Sequence, residues 1–566
     1  MDAVRAEFTK LTAAFKAQNW DMVVSSKSLP IVLGLSTHLF LAHGEPDYQF
    51  HIFIMFWFFV YISFSYLLVA SGSMATLSQA LSATASFYAI YFGTLFTSIV
   101  IYRAFFHRLR KYPGPFMARI TNFYNVALTV PKIRYFVEVE KIHKRYGDYV
   151  RLGPRDLSIA DVNAIPVIHG VGTKCRKGLW YGAGEHVEGF SLHTTRDKKD
   201  HRERRRIWDK AFNAKVLREY EPRINRHTAM LIQQLDDRVG KTIHINEWAN
   251  FYSFDVMGDI GFSKSFGMLE KGEEDQLIKT LHASMVGLGL FRNITWVTSI
   301  MLRLPIIQKD LRNFMKWTSD VLKERKKTQP AEQDIFSHLL DPNDEGIPLH
   351  LNADARLVIV AGSDTTAATL TWLFYELTKD PAQFKKLQKV VDDAVGDKDL
   401  LSCDDVANIP LLDGFINETL RLHPAVPSGV QRETPPEGIT IGDKYIPGNI
   451  IIWQPIHTIQ RDPRYFKEAT VFRPERWLED QQAEWIYDRR AFIPFSTGSY
   501  KCIGNNLAMM EMRAVAANIV HKFDVVAAPG EDFTTIENKT MDTFTLTLGK
   551  LDVIMTRRTT RRDSGV

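Results

Sequence analysis

A mainly α-helical protein behind a membrane-spanning N-terminal anchor is what the sequence predicts, and four stretches predict it. Phe50–Ala70 and Leu81–Tyr102 carry no Lys, Arg, Asp or Glu, and each approaches the roughly 20 apolar residues that cross a bilayer as a helix. Arg356–Tyr375, RLVIVAGSDTTAATLTWLFY, is apolar on every face after its first residue, the pattern of a helix buried in a core. Asn505–Val520, NNLAMMEMRAVAANIV, is a run of strong helix formers.

The chain has 566 residues, of which 45% are hydrophobic and 12% aromatic, enough for a large core. Its net charge of +5 is too small for this length to suggest nucleic acid as a partner. Three cysteines, Cys175, Cys403 and Cys502, are too few and too scattered for a disulfide framework. No Gly-x-Gly-x-x-Gly or P-loop pattern occurs, so electrons for any redox chemistry come from outside the chain.

Taken in order, residues 1–111 form the anchor, with two or three hydrophobic spans. Leu29–His43 is the shorter third stretch. A mildly basic N-terminus and an acidic Gly44–Gln49 loop favour an even number of crossings. Arg103, Arg108, Arg110 and Lys111 crowd the exit of the last span, which puts the remainder of the chain on the cytosolic side. Tyr112-Pro113-Gly114-Pro115 is a stiff turn that no helix continues through. Residues 112–566 then read as one domain without internal repeats, ending in the basic tail Arg557–Arg562.

Four motifs in this domain carry chemistry. Inside the long apolar helix sits Ala361-Gly362-Ser363-Asp364-Thr365-Thr366. A mid-helix Gly costs about 1 kcal/mol relative to Ala, and a buried Asp must find partners. Hydroxyls turned onto carbonyls one turn back bend such a helix. The stretch is either a satisfied kink or a groove with an acid and an alcohol placed to relay protons. Glu418-Thr419-Leu420-Arg421 puts a carboxylate and a guanidinium on one helical face, and Phe472-Arg473-Pro474-Glu475-Arg476-Trp477 comes after it. Last comes Phe495–Gly504, FSTGSYKCIG, which presents Cys502 from a turn between Gly498 and Gly504, with Phe495 seven positions upstream.

In this order, the four motifs and the anchor with its proline turn resemble the cytochrome P450 family, and the resemblance covers the chain from the proline turn onward. It implies the P450 fold, mainly α with a small β-rich subdomain, and haem b with Cys502 as the axial iron ligand. Phe495, Gly498 and Gly504 would shape the haem loop. Glu418, Arg421 and Arg476 would form a buried structural triad. Asp364 and Thr365 would deliver protons to the oxygen being reduced.

Arg205 and Arg432 match positions that bind haem propionates, with His201 where a Trp is usual. Tyr500 stands where most members carry a cation, and Lys501, His457 or the Tyr500 hydroxyl are candidates to compensate. Trp180, Tyr181, the 287–296 region, Ile359, Val426 and Phe544 would line a lipophilic substrate pocket.

The activity so implied is a monooxygenase that inserts one atom of O2 into a lipophilic small molecule, by hydroxylation or epoxidation, in fungal secondary metabolism or xenobiotic oxidation. NADPH would supply electrons through a separate flavoprotein reductase, with cytochrome b5 as a further partner. The expected location is the endoplasmic reticulum membrane, facing the cytosol. Two alternatives stay open on the residues alone: a haem-thiolate isomerase or dehydratase that needs no O2, and a non-enzymatic membrane haem- or sterol-binding protein.

Overall fold

The structure, a computed structural model, describes residues 9–10, 13, 19–43, 47–184, 189–340 and 347–558. The 44–46 part of the acidic loop and the basic tail beyond Arg558 lie outside the described residues.

The N-terminal segment forms helices α1 (Ser28–His43), α2 (Phe50–Ala70) and α3 (Leu77–Ile101). With their extensions, Asp47–Ala70 and Leu77–Phe106 are long and apolar enough to cross a membrane, whereas α1 is a shorter apolar helix. α2 turns Phe56, Phe58 and Phe59 outward, each more than half exposed, as lipid-facing side chains are. Small and hydroxylated residues bring the three helices together. A Cβ on Gly34 of α1 would lie 2.8 Å from the Tyr91 carbonyl of α3. Tyr91 donates to Thr37 at 3.0 Å, and Ser65 of α2 to Thr84 of α3 at 3.1 Å.

The loop between α1 and α2 returns to the domain that follows the proline turn. Asp47 pairs with Arg155 at 3.3 Å, and the Tyr48 hydroxyl donates to the Leu179 carbonyl at 2.5 Å while accepting from Arg196 at 3.0 Å. Phe50 packs on Trp296 with ring centres 4.6 Å apart. The loop therefore lies on the same side of the spans as the exit of α3. That exit is stitched down as well. Arg151 N–H donates to the Pro113 carbonyl at 2.7 Å, and a Cβ on Gly114 would meet the Arg151 carbonyl at 2.3 Å.

Beyond the proline turn the helices that position the site are α4 (Lys198–Ala211), α5 (Ile245–Phe262), α6 (Gln276–Phe291), α7 (Thr295–Met301), α8 (Leu349–Lys379), α9 (Pro410–Leu422) and α10 (Asn505–Lys522). α8 also has the length and composition of a span, but 72% of its most apolar window is buried inside the protein, so it is the core helix its sequence predicts. It crosses α5 closely at Gly362, where a Cβ would lie 2.5 Å from the sulfur of Met257. The main hydrophobic core collects side chains from α5, α8, α9 and α10.

Short strands form the β-rich side: β1 (Tyr149–Arg151), β2 (Asp156–Ile159), β3 (Arg176–Lys177), β4 (Thr242–His244), β5 (Arg432–Glu433), β6 (Ile439–Ile441), β7 (Lys444–Ile446), β8 (Ile451–Trp453), β9 (Phe523–Ala527), β10 (Met541–Thr543), β11 (Thr545–Thr547) and β12 (Asp552–Arg557). Five of them make one mixed sheet in the order β1-β2-β8-β5-β3. Its β3–β5 edge is antiparallel and places Lys177 opposite Arg432 and Arg176 opposite Glu433. The β10–β11 hairpin turns at Phe544, whose φ of 96° is a strained value for an aromatic residue.

Candidate functional site

The cysteine loop is held by its own backbone. Cys502 N–H donates to the Phe495 carbonyl at 2.9 Å, and Lys501 N–H to the Gly498 carbonyl at 3.1 Å. Gly498 has φ 67°, and a Cβ there would sit 1.9 Å from the His169 carbonyl. Both the turn and the close approach exclude a side chain. Gly504 differs. Its φ is −80° and no protein atom lies within 4 Å of where a Cβ would be, so the chain itself does not require glycine there.

Cys502 is exposed, whereas Cys175 and Cys403 are buried. Burial of the loop around it pushes the Cys502 thiol up, against the N–H groups of Gly504 and Asn505 and the charges of Arg205 and Lys501. A bound metal cation would reverse that balance and hold the thiolate.

The β3–β5 edge supplies the strongest electrostatic feature. Glu433 is compensated by Arg176 at 2.9 Å and Arg196 at 2.5 Å. The neighbouring cross-strand pair, Lys177 and Arg432, is two cations side by side, 4% and 2% exposed. Lys177 donates to the Leu192 carbonyl at 2.8 Å. Arg432 donates to the Gln431 carbonyl at 3.0 Å and stacks 4.8 Å over the Tyr500 ring, while its Nε has no partner. Among the described residues no carboxylate bonds to either.

Burial, then Arg432 and Arg204, pulls Lys177 well below the usual lysine range. Burial, then Lys177 with Arg432 among the nearby cations, pushes His201 and His193 down to about 3. Like charges placed directly opposite destabilise a strand pair. The site fits an anion.

The residues expected to bind that anion come together in part. Arg432 and His201 meet at Tyr500, His201 edge-on at 4.6 Å. Arg205 reaches the Lys501 carbonyl at 2.7 Å and Asp209 at 2.8 Å. Lys501 itself is exposed, and His457 is engaged by Glu140 at 3.1 Å. The cation nearest the Tyr500 ring besides Arg432 is Lys177, 5.1 Å away. No motif announces Lys177; only the strand register delivers it.

On α8, Thr365 donates to the Ala361 carbonyl at 2.9 Å and Ser363 to that of Ile359 at 2.7 Å, the bending bonds its sequence suggests. Ala361 is exposed and Thr365 half-exposed, although Ser363, Asp364 and Thr366 beside them are buried. One face of the helix is thus open to a cleft. Asp364 accepts from His282 of α6 at 3.1 Å and from Thr545 at 3.5 Å.

Glu418 is the centre of a fully buried knot. It accepts from Arg421 at 2.9 and 2.8 Å, Arg476 at 2.9 Å, Trp477 at 3.0 Å and the Arg473 N–H at 2.9 Å. Burial alone would push its carboxyl up, but Arg421 and Arg476 outweigh that and hold it below the usual range. The arginines spend their other donors on the carbonyls of Gln460, Ala469 and Lys467, which pins the irregular segment leading to the cysteine loop.

Trp180 stacks on Phe544 at 5.2 Å, with Tyr181 and His193 closing an aromatic group around them. Val426 is half-buried. Ile359 has no exposed surface and packs in the main core.

The cytochrome P450 family model matches residues 113–555, and the chain belongs to that family. It is 37% identical over 544 residues to the cytochrome P450 monooxygenase FCK2 of Fusarium pseudograminearum, covering 94% of this chain and 98% of that one. It is 40% identical over 469 residues to the cytochrome P450 monooxygenase orf5 of Eupenicillium brefeldianum, covering 82% and 94%. With the tryprostatin B 6-hydroxylase of Neosartorya fischeri it shares 35% identity over 475 residues, 82% of this chain and 85% of that. Among solved structures, the haem domain of cytochrome P450DA superposes with a TM-score of 0.64 at 16% identity, over 76% of this chain and 94% of that. The protein is a haem-thiolate monooxygenase acting on small molecules.

Proposed function

We propose that Cys502 is the axial ligand of haem b and that Lys177, Arg432 and Arg205 hold its two propionates, in a cytosol-facing domain anchored to the endoplasmic reticulum membrane. The observation that carries this is the buried, uncompensated Lys177–Arg432 pair, a match for a dianion close to the cysteine turn. Gly504, two residues from Cys502, has open space where a Cβ would be, room that a bound flat group would use. Thiolate-ligated haem supplies the O2-activating redox chemistry. The chain's own residues do the rest.

Asp364 and Thr365 carry protons into the cleft, a general-acid role that commonly contributes about 10²–10⁴-fold. Trp180, Tyr181, Val426 and Phe544 hold and orient a lipophilic guest, and the strained Phe544 backbone fixes one wall. Electrons come from NADPH through a separate flavoprotein reductase, with cytochrome b5 as a second donor. Arg202, Arg206 and Lys501 are exposed around Arg205 and steer an acidic partner to that face. The substrate is a fungal secondary metabolite, a reading supported by a relative named for tryprostatin B.

The test is spectroscopic. Reduced wild-type protein given carbon monoxide should show the red-shifted Soret band of thiolate ligation, and Cys502→Ser should lose it while Cys175→Ser and Cys403→Ser keep it. A band that survives Cys502→Ser sinks the assignment. A spin-state screen of lipophilic metabolites that includes tryprostatin B then reports the substrate class.

A further inference from the structure

Asp364 is not the end of its hydrogen-bond chain. His282 joins Asp364 through Nε2 at 3.1 Å and Glu274 through Nδ1 at 2.8 Å. The three side chains step outward. Asp364 is 6% exposed, His282 18% and Glu274 30%. Glu274 precedes α6, His282 lies within it, and Asp364 lies on α8. The chain therefore leads from the surface beside α6 to the one acid in the groove of the central helix.

Its other neighbours are uncharged. The Phe254 ring of α5 packs edge-on against the imidazole at 5.7 Å, and Thr545 of β11 donates to the second oxygen of Asp364. Among the described residues no other charged group bonds to His282 or Asp364.

We propose that Glu274 and His282 are a proton entry path that reloads Asp364 from solvent, with His282 as the shuttle. The proposal rests on the reading of Asp364 and Thr365 as the proton-delivering pair. Two carboxylates on either side keep the imidazole charged with an N–H toward each, so the resting chain holds one proton ready. In a transfer the Nε2 proton passes to Asp364 Oδ1 and leaves a neutral ring.

The ring then swings about χ1 and χ2 to present its bare nitrogen to Glu274, takes the proton that Glu274 has drawn from water, and swings back. One proton enters from solvent for each one given to Asp364, and no charge accumulates. Ring reorientation on the microsecond-to-millisecond scale is faster than the roughly 1–10³ turnovers per second typical of enzymes. Among the described residues no other hydrogen-bonded chain joins Asp364 to an ionisable group at the surface.

A positioning role would use the same ion pairs without releasing a proton, so the test separates charge from transfer. Exchange of the His282 ring C2 hydrogen, followed by mass spectrometry on the haem-loaded protein across pH, reads its titration without turnover. His282 should remain charged well above about pH 8, and its midpoint should fall by more than about one pH unit in both Glu274→Gln and Asp364→Asn. A wild-type midpoint near the ordinary histidine value of about 6.5 overturns the chain outright.

His282→Lys keeps a cation between the carboxylates but not a transferable ring proton at neutral pH, and His282→Gln removes both. With reductase, NADPH and the compound giving the largest spin-state shift, both should lose about tenfold or more in product formed per second at unchanged haem content. If His282→Lys turns over like wild type while Asp364→Asn is slow, the relay fails and the Asp364 reading stands. If Asp364→Asn and Thr365→Ala are also unimpaired, the underlying reading fails with it.

Discussion

Replacing Lys177 with Met should act in opposite directions on the haem-loaded and haem-free protein, and the cause is the β3–β5 register. Lys177 and Arg432 face each other across that edge, almost without exposure, and their protein partners are carbonyls. If the haem propionates are held there as proposed, each would be one half of a buried ion pair. Removing one half of such a pair costs about 2–5 kcal/mol, much of it the penalty of the charge left behind. Taking about 3 kcal/mol, and about 1.4 kcal/mol per factor of ten, haem should leave Lys177→Met about 100-fold faster.

Without haem, the same change deletes a buried, unpaired ammonium. Replacing buried charge by an apolar side chain of similar size is often stabilising by about 1–4 kcal/mol. The pH dependence has the same origin. Burial and neighbouring cations hold the folded Lys177 well below its ordinary value, so the unfolded chain binds the proton more strongly. Stability of the haem-free protein should therefore rise as pH climbs from the folded value towards about 10.4, and Lys177→Met should flatten that rise. The assay is haem transfer to excess apomyoglobin, with denaturant unfolding of the haem-free protein, and exposed Lys501→Met as the control. Wild-type haem loss from Lys177→Met, or loss no faster than from Lys501→Met, refutes the reasoning.

Glu418→Gln removes the charge that pairs two fully buried arginines and turns one acceptor oxygen into an NH2 facing their donors, and should cost about 3–5 kcal/mol, read as faster thermal loss of the carbon monoxide spectrum. Thr365→Ala keeps a good helix former, so haem content should stay near wild type, while product per NADPH falls severalfold and peroxide rises. Unchanged coupling would count against the relay. Gly362→Ala drives a Cβ into Met257 and should destabilise by about 1–3 kcal/mol, recovered in part by Met257→Ala in the same chain.

Some of this was legible in the residue order and some was not, for physical reasons. The glycine turn around Cys502, the polar interruption of α8 and the Glu418–Arg421 spacing are local patterns, so a linear reading finds them. The long apolar α8 was also readable, because hydrophobicity on every face of a helix marks burial as well as membrane. Lys177 and His282 are another matter. Each takes its meaning from a partner more than 80 positions away, Arg432 through a strand register and Asp364 through helix packing. No periodicity encodes such pairs. Candidates near Tyr500, Lys501 and His457, are plausible by position, yet one faces out and the other is taken by Glu140. The acidic loop before α2 reads in the sequence only as a charge bearing on topology; its Asp47 and Tyr48 are instead consumed by Arg155, Arg196 and Leu179.

That loop has a consequence for how the enzyme meets its substrate. Tyr48 bonds to Leu179, next in sequence to the aromatic wall, and Phe50 begins the apolar helix α2 while touching Trp296. A Cβ on Gly182 would strike the Tyr48 hydroxyl at 2.5 Å, so the fit leaves no slack. The wall of the candidate pocket is thereby fixed beside the start of the apolar helix α2. On the proposed anchoring, a lipophilic guest, which gains about 0.8 kcal/mol for each CH₂ it buries in lipid, would dissolve mainly in the bilayer beside that wall. The concentration the enzyme senses is then the mole fraction of guest in lipid. Diluting the bilayer with inert phospholipid at constant total guest should raise the apparent KM in proportion, as in two-dimensional surface kinetics.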